Sequence, residues 1–401
     1  MDEKLRAEIG ERLTTARKRA GLTQDRAAEL IGVDRPRLSG MERGERPVDV
    51  LMLSKMCMTY GVSMSSLVAG AGGEQPSRNM QLRSMLAEKL DGGEVEALLS
   101  GFLKFAERYQ RLCTRYECKP KAADLPDWKD RGSSHTRKFA VEGDAARLRD
   151  EWGLDDAPVG LRIFELLEAH GVHVYCQPIS DERISGAYLE ADIGPLLCIN
   201  TADRPYRQVF TAAHELAHLL YHRGGGVSYK DDRSAEENLA NEFASAFLMP
   251  ESAIKRYLAT REARSEGLTA EDVIDLHRSF GVSYAAMLVR LRRLTILTPE
   301  RYDELKAVQP VWKAQEMGYP LPDWEFDYHP DLLPVQTRIK WLPRTFRALV
   351  LRAMLEGELT ERQAAKYVNL EYEEFVSLRK HPEPDPRLSE RDLKEAEDYV
   401  K

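Results

Sequence analysis

In a sequence of 401 residues, the side chains best able to do chemistry gather between Phe210 and His222, in FTAAHELAHLLYH. His214 and His218 stand four residues apart, one helical turn, so their imidazoles leave the same face and can converge on one cation. Glu215 lies beside them, placed to take a proton from water rather than to bind the ion, as in HExxH zinc sites. His222 continues the stripe. A straight helix nevertheless carries it too far from an ion gripped by the first two, and the glycine turn of HExxHxxGxxH sites is missing. A better third ligand lies downstream in EENLANEFA, where Glu237 and Asn241 are one turn apart on a helix whose other face, with Leu239, Phe243 and Ala246, is apolar. Glu237 would complete a His/His/Glu set with an open fourth position, Asn241 would orient a ligand histidine, and Glu236 is the neighbouring alternative ligand. The expected ion is Zn2+, with Mn2+ or another divalent ion as substitute.

These residues need two helices to position them. Asp203 and Pro205 mark the start of the first and Gly224–Gly226 its stop, while SAEENLANEFASAFLM forms the second and ends at Pro250. Upstream, AARLRDEWG and GLRIFELLEAH read as helices, and VHVYC and PLLCIN as strands. Helical text continues to about 300 and includes SFGVSYAAMLVRLRRL. The final hundred residues hold proline-rich loops and then FRALVLRAMLEGELTERQAAKYVNLEYEEFVSL, which is helix-turn-helix-like. At the other end, short helices broken by GLT, GVD and ERGERP give way to AGAGGEQPSRN (69–79), a flexible linker. Beyond it Val95, Leu98, Phe102, Phe105, Tyr109, Leu112 and Tyr116 alternate spacings of three and four, which suits either a short coiled-coil dimer seam or a stripe covering its own domain. The expected organisation is multidomain and mainly α: a module at 1–69, a linker and helical segment at 70–140, an α+β domain at 141–300 and a helical domain at 301–401.

Hydrophobic residues at 43% and charged residues at 31% suit soluble globular domains. A net charge of −8 gives no global attraction to nucleic acid, so DNA binding would have to come from a local patch. The start, MDEKLRAEIGERL, lacks the apolar core of a signal peptide, and no apolar run is long enough to span a bilayer. Cys57, Cys113, Cys118, Cys176 and Cys198 form neither close pairs nor a disulfide framework, which points to a reducing cytoplasm. His170, His173, His277, His329 and His381 lack ligand-spaced partners and read as surface or core residues.

TQDRAAELIGVDRPRLSGMERGER has the punctuation of a helix-turn-helix: Thr23 caps one helix, Gly32 turns the chain, and Asp34 with Pro36 opens a second helix that stops at Gly44. Over about 60 residues it resembles the XRE/Cro repressor family. That resemblance implies that Gln24 contacts phosphate, that Arg35, Arg37 and Ser39 face base edges, that Arg43 and Arg46 lie near the backbone, and that Arg17 pairs with Glu42. An exposed guanidinium at the start of such a helix can reach guanine O6 and N7 bidentately. Pro36 replaces the usual polar residue there. Paired half-sites on a double-stranded DNA operator, and hence a homodimer, are expected.

Around the histidines the sequence resembles the ImmA/IrrE metallopeptidase family: FTAAHELAHLLYH matches its F-T-x-A-H-E-L-x-H core and ANEFASAFLMP its A-N-x-F-A-x-x-L-M-P signature, with GAYLEADIGPLLCIN in place of the preceding strands. The resemblance covers roughly 141–250. It implies a zincin-like fold and a zinc-dependent endopeptidase acting on a regulatory protein, here fused to its own DNA reader. The strand at Pro195–Asn200 is the expected edge for an extended peptide, and His222, Tyr206 and Arg207 are the candidates for stabilising an oxyanion. The rival expectation is an antitoxin-like repressor whose central fold is a non-hydrolytic platform for an adjacent-gene toxin or other partner, with GELTERQAAKYVNL as the grip.

Overall fold

Four helices form the amino-terminal module: α1 (Glu3–Arg19), α2 (Gln24–Ile31), α3 (Arg35–Glu42) and α4 (Val50–Tyr60). In the computed structural model the described residues are 3–19, 22–60, 93–120, 122–128, 137–179, 181–191, 193–222, 225–230, 232, 234–260, 267–329 and 342–380. The linker expected at 69–79 and His381 lie outside them. The Thr23 hydroxyl accepts from the Arg26 N–H at 3.2 Å and the Asp34 carboxylate from the Arg37 N–H at 2.6 Å, so both helix starts are capped as the sequence requires. Between them Gly32 turns at φ +78°, a conformation a Cβ would strain. Leu13, Ala27, Leu38 and Met56 fill the core. Within it the Glu42 carboxylate accepts from Arg17 at 2.7 Å, Gln24 at 2.9 Å and the Tyr60 hydroxyl at 3.1 Å, so one buried acid ties α3 to α1, α2 and α4. A buried charge is tolerable only with such partners.

Next come α5 (Gly93–Arg115), α6 (Arg137–Glu151) and α7 (Ile163–Ala169), then a four-stranded sheet of β1 (His173–Gln177), β2 (Ile184–Ala191), β3 (Gly194–Asn200) and β4 (Gly225–Tyr229). The sheet order is β1-β3-β2-β4, with β1 parallel to β3 and the other pairs antiparallel. This corrects the expected peptide edge. Residues Pro195–Asn200 lie in β3, hydrogen-bonded on both sides, and β4, built from the glycines read as a helix stop, is the edge beside β2.

The aromatic stripe of α5 is used within the chain. Phe102 and Phe105 stack on Tyr175 of β1 at 6.4 and 4.4 Å, and Tyr109 meets His173 edge-on at 5.0 Å, all three buried. Of the two readings of the heptad, packing on its own domain is the one realised at these positions.

Helix α8 (Pro205–Tyr221) packs on β2 and β3 of the sheet, α9 (Ala235–Leu248) packs on α8, and α6 backs α9. They are followed by α10 (Glu251–Thr260), α11 (Ala270–Phe280), α12 (Tyr284–Arg293), α13 (Pro299–Lys306) and α14 (Pro310–Glu316). The chain forms two compact units, residues 1–332 and 333–401. Glu325 pairs with Arg278 at 3.0 Å, and the Tyr328 hydroxyl accepts from Gln208 at 2.9 Å and donates to the Thr201 carbonyl at 2.6 Å, so residues 301–329 are packed against the α8 and α11 helices. The second unit holds α15 (Arg344–Leu355), α16 (Glu361–Tyr367) and α17 (Tyr372–Lys380). No helix among the described residues is long and apolar enough to cross a membrane.

Candidate metal centre

Helix α8 delivers His214 and His218 from one face, and their Nε2 atoms stand 3.1 Å apart. Two nitrogens bound at ~2.0–2.1 Å to one tetrahedral ion stand roughly 3.3 Å apart. Glu237 on α9 brings one carboxylate oxygen to 2.9 Å from His214 Nε2 and the other to 3.2 Å from His218 Nε2. Among the described residues these three are the cluster whose donor atoms converge, all within 4.8 Å of one another. Glu236, the alternative, is exposed.

The remaining ring nitrogens are already engaged. Asn241 Oδ1 lies 3.1 Å from His214 Nδ1, and His222 Nδ1 lies 2.9 Å from His218 Nδ1. Both rings are thereby turned with Nε2 inward, as metal-ligating histidines require. His222 thus stands behind the His218 ring, outside the three converging donors. The His218 ring is further fixed by Tyr188 of β2, stacked on it at 5.0 Å and 4°. Burial lowers the His218 pKa to about 4, against the opposing pull of Glu237. For Glu237, burial favours protonation, but hydrogen bonds from His214 and His218 outweigh it and hold the carboxyl at about 2. A neutral imidazole and an ionised carboxylate are the forms a divalent ion binds. The donor set fits zinc.

Glu215 is wholly buried on the sheet side of α8, and neither carboxylate oxygen has a hydrogen-bond partner among the described residues. Burial pushes its pKa well above the ordinary carboxylate range, the nearby Ser228 hydroxyl opposes the shift, and the Glu237 charge adds to it. Space for this carboxylate exists because position 186 of β2 is glycine: a Cβ there would lie 2.7 Å from Glu215 Oε1.

The helix α9 that presents Glu237 is clamped at its far end by two buried guanidiniums. Arg149 donates to the carbonyls of Phe247, Asp155 and Ala157 at 2.6–3.0 Å, and Arg290 donates to the Met249 carbonyl at 2.9 Å while pairing with Glu142. Tyr206 lies away from the metal ligands, its hydroxyl 3.4 Å from Glu325, and the Arg207 guanidinium sits over Phe210 at 5.8 Å.

A family profile for the IrrE N-terminal-like domain matches residues 167–292, and a helix-turn-helix profile matches residues 13–67. The chain is an XRE-type helix-turn-helix fused to an IrrE-like domain. It therefore carries a domain of a DNA-binding type and a domain of a peptidase family. Among solved structures it is similar to a Mycobacterium tuberculosis transcriptional regulator, at 20% identity over 49% of this chain, with a TM-score of 0.29. The chain spans 53% of that regulator's length. None of the curated proteins compared with it is a significant match.

In the XRE-type module Arg35 and Arg37 are exposed, Arg35 within 3.4 Å of the equally exposed Asp25. Such a surface pair is worth little and yields readily to a stronger partner. The Ser39 hydroxyl accepts from Arg43 at 2.7 Å, and Arg43 also forks onto Glu45. Gln24 Nε2 is directed at Glu42, and the exposed Arg46 lays its stem over Gly40. In the IrrE-like domain, sequence reading passed over Gly186, Tyr188, Arg149 and Arg290. A glycine inside an apolar strand is a signal for close approach; nothing in the spacing marks the other three.

Proposed function

We propose that the IrrE-like domain is a zinc-dependent endopeptidase that cuts a regulatory or partner protein, under the direction of the fused DNA reader. The observation that supports this reading best is Glu215: a buried carboxylate without a hydrogen-bond partner, one residue from the converging His214, His218 and Glu237. A structural metal site has no need for such a group. When bound, the divalent ion supplies Lewis-acid polarisation of the scissile carbonyl and acidifies water. Glu215, made more basic by burial, accepts the proton of the attacking water and returns it to the leaving amine. His222 and Asn241 keep the ligand rings aimed, and Tyr188 walls one side of His218. An extended peptide would pair with β4, the edge strand nearest Tyr188, through its main chain.

On the DNA side, Arg35 and Arg37 would read base edges in the major groove, with Ser39 beside them, while Gln24, Arg43 and Arg46 would meet the phosphate backbone after exchanging their present intramolecular partners. Two half-sites would need a homodimer.

Glu215→Gln tests the central claim, because it keeps shape and metal ligands while removing the proton acceptor. Loss of partner cleavage with zinc content and operator binding unchanged is the expected result. Should regulation persist in Glu215→Gln but vanish in His214→Ala, the domain is a metal-bearing platform for a toxin or other partner instead.

A further inference from the structure

The carboxy-terminal unit repeats the first module position by position, at a constant offset of 337 from Thr23 to Thr360. Thr360 caps α16 by accepting from the Gln363 N–H, as Thr23 does from Arg26. Asn369 turns the chain at φ +55° where Gly32 does so at +78°. The N–H of Leu370 donates to the Ala365 carbonyl at 3.0 Å, matching Val33 to Ala28 at 2.9 Å, and the N–H of Phe375 donates to Glu371 at 3.0 Å, matching Leu38 to Asp34 at 3.1 Å. The alanine pairs at 27–28 and 364–365 are buried in both. Even the helix–helix contact recurs: Arg35 meets Asp25, and at the equivalent positions Tyr372 lies under Arg362, 4.9 Å from ring centroid to guanidinium.

The reading positions do not recur. Gln24, Arg35 and Arg37 are replaced by Glu361, Tyr372 and Glu374, which puts two acids and a ring where a glutamine and two guanidiniums stood, while Lys380 keeps the basic character of Arg43. The leading helix differs in the opposite sense. Phe346, Leu349, Val350 and Ala353 of α15 fill the unit's core, yet Leu351 is 49% and Leu355 70% exposed, with exposed Ala348 on the same stripe. Arg352 and Glu356 flank that stripe, 2.9 Å apart.

We infer that the carboxy-terminal unit is a second helix-turn-helix turned from reading DNA to pairing, and that α15 packs through Ala348, Leu351 and Leu355 against α15 of a second copy of this chain. A two-fold crossing of antiparallel helices sets Arg352 of one copy against Glu356 of the other, twice, so the flanking charges are complementary to their own image. A second copy is also what the first module requires for paired half-sites, and the aromatic stripe of α5 is already used on β1. The inference rests on the proposed paired-site reading only for that choice of partner.

The full chain should sediment as a dimer in the absence of DNA at about 10 μM, a concentration at which a micromolar interface is largely occupied. Leu351→Glu with Leu355→Glu should make it monomeric, with the far-ultraviolet circular dichroism spectrum unchanged because both side chains are exposed. Arg352→Glu and Glu356→Arg chains should each pair at least tenfold more weakly alone but form a heterodimer when mixed, an outcome helix damage cannot produce. A monomeric parent chain, or dimers indifferent to all these changes, overturns the seam. Duplex DNA binding that survives Arg35→Ala with Arg37→Ala and disappears with Tyr372→Ala overturns the claim that this unit has given up reading. Because sedimentation is done without DNA, failure of the seam is distinguishable from failure of the paired-site reading.

Discussion

Gly186 and Glu215 face one another with no space for another atom: a Cβ on Gly186 would also lie 2.9 Å from the Cys198 carbonyl and from Thr211 Cγ2. The carboxylate that the proposed chemistry uses is therefore held by the absence of a side chain on β2. Gly186→Ala should displace it by a fraction of an ångström to an ångström, lowering peptide turnover by about 100-fold. Overpacking should cost about 1–3 kcal/mol of stability. Zinc content should stay at one per chain, since the three ligands do not touch position 186. Unchanged turnover would show that Glu215 is not the group poised for proton transfer.

His222→Ala and Asn241→Ala should each weaken zinc binding by roughly 10- to 100-fold without changing the stoichiometry, because each releases one ligand imidazole to rotate about its Nδ1 side. His214→Ala, His218→Ala and Glu237→Ala should abolish it. Competition with a chromophoric chelator measures both effects. Were His222→Ala to abolish binding as well, His222 would have to be a ligand, against the 2.9 Å approach of the two Nδ1 atoms.

Arg17→Ala should remove operator binding by unfolding the first module rather than by losing a DNA contact. It leaves Glu42 buried with its ionic partner gone, a change costing about 3–5 kcal/mol. Limited proteolysis should then open residues 1–60 while zinc stays bound downstream. Arg37→Ala should instead leave the module protected and relax sequence preference alone.

Local punctuation was what the sequence spelled most clearly. Thr23, Gly32 and Asp34 act through bonds to near neighbours, so their roles are written in short spacings. The convergence of His214, His218 and Glu237 was legible for the same reason: the two histidines share a turn, Glu237 and Asn241 share another, and two amphipathic helices have few ways to meet. What escaped depended on packing between distant segments. The order β1-β3-β2-β4 pairs segments that are not consecutive in the chain, and no strand states its own neighbours. The stop read at 224–226 looked like punctuation alone, although Gly225 and Gly226 continue through Val227 to Tyr229 as an edge strand paired with β2. The α5 stripe had two physically adequate partners, another helix or a sheet, and only the fold chose between them.

That choice has a pH signature. His173 on β1 is buried beneath Tyr109, its Nε2 3.1 Å from the Ile193 carbonyl, and burial lowers its pKa to about 4 although the Ile193 bond opposes the shift. The native state therefore holds His173 neutral, whereas the unfolded chain protonates it near ~6.5. The sign follows: its contribution to stability is complete above pH ~6.5 and is lost progressively as the pH falls toward 4, at about 1.4 kcal/mol per pH unit. Urea unfolding at pH 7.5 and 5.0 should show parent-chain stability dropping between the two, with His173→Gln dropping about 2 kcal/mol less, since glutamine can still donate to Ile193 but cannot take the proton. Every other side chain is common to the two chains, so the remaining contributions cancel in the comparison. Equal losses in the two chains would mean that His173 is solvated in the native protein, and that α5 does not seal β1 as the Tyr109 contact requires.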